Sequence, residues 1–340
     1  VVDTGIDPNH SEFGGRVDSG FSTISDGRSD CYGHGTHVAG IIGGATYGVA
    51  KNVTLTPVRV LNCNGSGRIS GIVSGLDWIA QRTGPDTKAV VNMSLGGDFS
   101  AAVNNAVQNI IDKGIPVVVA AGNSSDDACD SSPASAPAAI TVAATDSNDN
   151  FANYSDHGSC VDILAPGTNV TSAYHRTPIK TLSGTSMASP HVAGAVALLF
   201  ESGYRSPAEI YSVLMSNSIS ETINNVRIGT VNKFLNVAAQ NAIAKISPLV
   251  RPVTGTTGVA LSIEGYAATG PFDGSVSYSI SPALPGTLTL NAGTGAITGT
   301  PSATMSTTQF TITASGAISG SATATLNLTI NAPVVNAAPD

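Results

Sequence analysis

Three short stretches of the chain each set one reactive side chain among glycines and other small residues. They are Val2-Asp3-Thr4-Gly5, Gly33-His34-Gly35-Thr36-His37 and Gly184-Thr185-Ser186-Met187-Ala188-Ser189-Pro190. A hydroxyl, an imidazole and a carboxylate are what nucleophilic acyl transfer needs. The imidazole takes the hydroxyl proton, and the carboxylate orients the ring and stabilises the imidazolium that forms. Glycine beside each lets backbone approach a substrate closely. Taken singly, a Gly-flanked Asp reads as a turn and a Gly-flanked Ser as a helix cap, so it is the joint occurrence in the order Asp, His, Ser that carries weight. His34 and His37 are also spaced like metal ligands on a helix, but no Glu accompanies them in the His-Glu-x-x-His sense. His191, close to Ser186 in sequence, reads as a packed helix residue.

Such side chains need ordered elements to hold them. Apolar β-rich runs at Asn52 to Leu61, Lys88 to Ser94, Ile115 to Ala121 and Ile140 to Ala144 read as strands. Between them Gly71 to Gln81, Phe99 to Lys113 and Ser186 to Glu201 repeat apolar residues at three- and four-residue steps and read as helices. Strands alternating with helices predict an α/β domain with a doubly wound, mostly parallel sheet, whose crevice lies at the carboxyl ends of the strands.

After Lys245 the composition changes. From Ile246 to the end the charged residues are Arg251, Glu264, Asp273 and Asp340 alone, and Gly, Ser, Thr and Ala dominate. Ser275 to Ile280, Phe310 to Ala314 and Thr323 to Ile330 alternate apolar and polar residues, which predicts a small all-β sandwich. The expected division is 1–246 for the α/β domain, 247–258 for a linker marked by Pro248, Pro252 and Gly255, 259–332 for the sandwich, and 333–340 for a tail.

The motifs resemble those of the subtilase family, in particular its proteinase K and aqualysin-like branch. The resemblance runs through Val2 to Asp7, Gly33 to Gly40 and Gly184 to Gly194. It continues through Asn64-Gly65-Ser66-Gly67, Asn92-Met93-Ser94-Leu95-Gly96-Gly97 and Ala120-Ala121-Gly122-Asn123, and so spans residues 1 to 245. It implies a serine endopeptidase in which Ser186 attacks the scissile carbonyl, His34 carries the proton, Asp3 orients His34, and Asn123 with the Ser186 backbone N–H holds the oxyanion. Gly65, Ser66 and Gly67 on one side and Ser94, Leu95 and Gly96 on the other resemble edges to which an extended peptide adds as a strand. That mode predicts broad specificity with a preference for apolar or aromatic side chains before the cut, in a pocket of Ala121, Gly122 and Gly96. Asp126 and Asp127, just beyond, could add a taste for basic ones. No cofactor is implied for catalysis. A structural calcium is, held by the carbonyls of Pro137 and Ala139 and the carboxylate of Asp162.

The four cysteines, Cys31, Cys63, Cys129 and Cys160, lack Cys-x-x-Cys spacing and read as two disulfides, which suits an extracellular protein. Three pairings are open to the count; the resemblance implies Cys31 with Cys63 and Cys129 with Cys160. It also implies a secreted, bacterial, monomeric enzyme acting on protein and peptide substrates, and an upstream inhibitory propeptide. Subtilase domains carry several dozen residues before the Asp, whereas here two precede Asp3. Part of a sheet edge is therefore expected to be missing, and these residues alone are expected to melt early. The net charge of −8 over 340 residues argues against nucleic acid, and no apolar run is long enough for a membrane span. A competing expectation is a catalytically inactive adhesion or binding protein on a protease scaffold. Leu284-Pro285-Gly286-Thr287-Leu288 and Thr294-Gly295-Ala296-Ile297-Thr298-Gly299-Thr300-Pro301 resemble immunoglobulin-like modules of bacterial secreted proteins.

Overall fold

Runs of Val and Ala, whose apolar side chains gain by leaving water, form the middle of a nine-stranded sheet in a computed structural model of the chain. The structure describes residues 1–84, 87–202, 204, 206–237, 245–247, 250–269, 275–316 and 321–333. They divide into two units, Val1–Asn241 and Ala242–Asp340.

In the first unit the strands are β1 (Val2–Asp3), β2 (Phe21–Ser22), β3 (Val58–Arg59), β4 (Val91–Met93), β5 (Gly97–Asp98), β6 (Val117–Ala120), β7 (Ser131–Ser132), β8 (Ile140–Thr145), β9 (Ile163–Pro166), β10 (Val170–Tyr174), β11 (Thr177–Leu182), β12 (Ile219–Ser220) and β13 (Lys233–Phe234). The main sheet runs β12-β13-β9-β8-β6-β4-β1-β3-β2, and every pair in it is parallel except β12 with β13. From β1 the chain winds outward to β3 and β2 on one side and through β4, β6, β8 and β9 on the other. That reversal opens a crevice beyond the carboxyl ends of β1, β4 and β6.

Helices cover both faces. They are α1 (His34–Gly43), α2 (Ile69–Ala80), α3 (Ala101–Asp112), α4 (Thr185–Glu201) and α5 (Pro207–Ser216). Alternate residues of β6 serve opposite cores: Val118 packs with Ile41, Met187 and Val192, while Val117 and Val119 pack with Leu76, Val107 and Ile110. The Cys31–Cys63 and Cys129–Cys160 disulfides both form.

The second unit pairs a four-stranded sheet with a three-stranded one. Side chains of both, including Ile263, Ile297, Phe310, Leu326 and Leu328, share one core. The expected linker at 247–258 is corrected: Val250–Thr256 is a strand parallel to Ser321–Asn331 within the four-stranded sheet. Pro252 is tolerated there because this strand lies at the sheet edge, where a missing N–H costs no ladder bond. Of the tail at 333–340, all but Pro333 lies outside the described residues.

Candidate active site

Asp3 ends β1 at the crevice, fully buried. Its carboxylate meets His34 Nδ1 at 2.8 and 2.9 Å. His34 opens α1 after Gly33, whose left-handed φ of +106° only glycine holds easily. A Cβ at Gly33 would lie 2.3 Å from the Tyr174 ring, and one at Gly35 would lie 2.1 Å from the Gly5 carbonyl. The glycines flanking His34 are thus the condition for bringing α1 against the Asp3 loop.

A second carboxylate, which the motif reading missed, holds the same corner. Asp30, only 2% exposed, accepts from the N–H groups of Tyr32, Gly33 and Thr36 and from the hydroxyls of Thr4 and Thr36. The N–H groups of Gly33 and Thr36 are orphan donors of the α1 N-terminus, where a negative charge is favoured. Thr4 Oγ1 in turn accepts from Gly35 N–H, so the Asp3 loop and α1 are stitched together. Burial disfavours the His34 imidazolium. The charge of Asp3, its hydrogen bond and the charge of Asp30 outweigh that, and the pKa of His34 stands above its ordinary value.

Ser186 is the second residue of α4. Pro190, inside that helix, lacks the N–H that would bond the Ser186 carbonyl. The Ser94 hydroxyl fills the gap, donating to Ser186 O at 2.9 Å. Asn92 donates to Ser94 Oγ, and Ser189 donates back to Asn92 Oδ1. This neutral, buried cluster fixes the backbone of the residue whose hydroxyl is expected to react.

Asn123 follows β6. Its Oδ1 accepts from Thr185 N–H at 2.8 Å and from the Thr185 hydroxyl at 3.0 Å. A backbone N–H can only donate, so the amide orientation is settled and Nδ2 is left to donate elsewhere. Gly122, at φ +120°, is needed because a Cβ there would fall 1.9 Å from Asp156 Oδ2.

Two adjoining clefts meet at Leu95 and Gly96. One, of about 420 Å³, is lined by His34, by Gly65, Ser66 and Gly67, and by Ser94, Leu95 and Gly96. The expected edge residues therefore all face one groove. The other, of about 440 Å³, is lined by Ala121, Gly122, Asn123 and Ser186 among others. The Cys31–Cys63 disulfide ties the loop before His34 to the loop leading into Gly65, with the buried Arg59 guanidinium against both sulfurs and against Asp26.

One expected contact is not made. The Ser186 hydroxyl donates to Ser94 O at 3.2 Å, and among the described residues no hydrogen bond joins it to His34. Catalytic hydrogen bonds are commonly loose without substrate. The other histidines stand apart: His37 Nε2 faces the Lys180 carbonyl and burial pushes its pKa down to about 4, while His191 Nδ1 faces the Met187 carbonyl. Asp162 lies away from these clefts, accepting from Thr141 N–H and from the Tyr211 hydroxyl. Pro137 and Ala139 lie in the turn before β8, Pro137 exposed and Ala139 buried. Among the described residues the grouped potential metal ligands are Asp26, Cys31 and Cys63, whose sulfurs are bonded to each other.

Residues 243–331 match the family described as "Putative Ig domain". An extracellular serine proteinase of Thermus sp. (strain Rt41A) is 52% identical over 230 residues, covering 66% of this chain and 56% of that protein. An alkaline serine exoprotease A of Vibrio alginolyticus is 48% identical over 239 residues, covering 69% of this chain and 44% of that one. The chain thus spans about half the length of these relatives. A solved structure of a cold adapted subtilisin-like serine proteinase superposes with a TM-score of 0.67 at 49% identity, covering 69% of this chain and 86% of that chain. Residues 1–236 match the subtilase family model, and with that match and these relatives the chain belongs to the subtilase family.

Proposed function

We propose that this protein is a secreted serine endopeptidase working through an acyl-enzyme. The observation that carries the reading is the short pairing of the buried Asp3 with His34 Nδ1 at a groove adjoining the cleft of Ser186 and Asn123. An extended peptide fits between the two small-residue edges, where backbone can pair with backbone. Ser186 attacks the carbonyl as its proton passes to His34 Nε2, and the imidazolium is stabilised by Asp3. Developing charge on the carbonyl oxygen is met by Asn123 Nδ2, which Thr185 leaves free, and by the Ser186 N–H at the head of α4. The protonated His34 then releases the amine, and water hydrolyses the ester by the same route. The names of the relatives support both the reaction and the extracellular location.

A fluorophosphonate probe tests this. Labelling of Ser186, lost in Ser186→Ala together with hydrolysis of a peptide anilide, is expected; a folded but unlabelled protein overturns the reading.

Calcium is supported by Asp162. Burial raises its pKa, and no Lys or Arg pairs with it among the described residues, so a hard cation sharing it with the Pro137 and Ala139 carbonyls would offset its charge. Chelation should lower the melting temperature of the wild type and leave that of Asp162→Asn unmoved; equal shifts would remove calcium from this site.

A further inference from the structure

The cleft beside Ser186 has an unusual lining for a pocket expected to take apolar side chains. Asp98, Asp126, Asp127, Asp130 and Asp156 all face it, with no Lys, Arg or His among its lining residues. Four of these acids, Asp98, Asp126, Asp127 and Asp130, are exposed. The fifth is different in kind. Asp156 is 5% exposed, and its Oδ1 is consumed by the N–H groups of Ser124 and Asp126. Its Oδ2 lies against the Gly122 backbone and has no hydrogen-bond partner among the described residues. This is an accessible carboxylate oxygen with a spare acceptor, on a side chain otherwise held by the fold and on the wall of a cleft that also holds the expected nucleophile, so it is placed to accept from a cationic donor. The Arg227 guanidinium reaches the neighbouring Ser125 but not Asp156. Its Nη2 bonds Ser125 Oγ and the Asn153 carbonyl, and it does not line the cleft.

We propose that Asp156 sets the specificity of this site for a lysine or arginine immediately before the scissile bond, with the exposed acids drawing such cationic peptides in. This rests on the endopeptidase reading above. The methylene stem of a basic side chain can lie along Ala120, Ala121 and Gly122 while its charged head reaches the free oxygen. One available oxygen favours the compact ammonium of lysine over the two-pronged guanidinium. The exposed acids act at longer range, so their contribution is screened by salt while that of the enclosed Asp156 is not. Acidic side chains before the cut are excluded by the same charges.

The test compares kcat/KM on succinyl-Ala-Ala-Pro-Xaa-p-nitroanilides, with Lys, Arg, Leu, Phe or Glu as Xaa, at low and high ionic strength, on the full chain. Lys is expected to exceed Leu and Phe by about tenfold and Glu by about a hundredfold or more. Asp156→Asn should bring the Lys-to-Leu ratio close to unity, and the Asp126→Asn, Asp127→Asn double variant should reduce its salt dependence. Should Asp156→Asn not fold, the wild-type ranking and the double variant still decide. Labelled Ser186 with Leu or Phe preferred over Lys overturns the specificity alone. No labelling and no turnover of any substrate overturns the endopeptidase reading, and this proposal with it.

Discussion

The two halves of the candidate site are held by different forces. Around His34 the structure is electrostatic: two buried carboxylates, Asp3 and Asp30, converge on one ring and one helix N-terminus. Around Ser186 it is neutral and geometric. A proline frees a carbonyl, a serine hydroxyl takes it, and a threonine N–H turns an amide toward the cleft. The first half should therefore answer to charge and pH, and the second to the position of atoms whatever the pH.

The largest expected effect lies on the charged side. Asp3→Asn keeps the shape but lets the amide donate toward Nδ1, which favours the wrong tautomer, so kcat/KM should fall by about four orders of magnitude. A loss under tenfold, read with a chromogenic peptide, would break the comparison at its first term. On the neutral side Asn123→Ala should cost about a hundredfold to a thousandfold in kcat with KM little changed, because the lost bond strengthens only as the oxyanion forms. That loss should be the same on both sides of the His34 titration. Gly122→Ala probes geometry directly. With φ at +120° and a methyl set 1.9 Å from Asp156 Oδ2, it should destabilise the fold by about 2 to 4 kcal/mol, seen as a lower melting temperature.

How much of this was legible differs between the same two halves. Asp3, His34, Ser186 and Asn123 stand beside glycines at strand and helix ends, so local sequence marks them, and the Val-rich strands behind them carry their own pattern. Helix α1 carries no such signal, because Gly35, Gly40 and Gly43 argue against helix by propensity. Packing overrides that: a Cβ at Gly40 would fall 2.3 Å from Ser172 Oγ, so the glycines let the helix lie on the β10 hairpin. Asp30 gives no local signal at all. Its role comes from five donors on four residues that only the folded loop gathers. Strand Val250–Thr256 was hidden for a similar reason, its partner being Ser321–Asn331, far along the chain.

The smallest expected effect sharpens the comparison most, because it separates charge from position. Asp30 does not touch His34, yet its charge helps raise the pKa of the ring. His34 must be neutral to accept the Ser186 proton, so kcat/KM falls as pH drops through that pKa, and the raised value places this acid limb above the ordinary histidine midpoint. In Asp30→Asn one of the two oxygens that share the five donors becomes an amide nitrogen that cannot accept, so at least two of those bonds are lost and less protein should fold. Limb position is independent of how much protein folds. Removal of the charge should move the limb to lower pH, making the variant relatively more active on the acid side, while Asn123→Ala leaves the limb in place. A limb unmoved by Asp30→Asn would mean that Asp3 alone sets the charge at His34 and that Asp30 serves only to cap the helix.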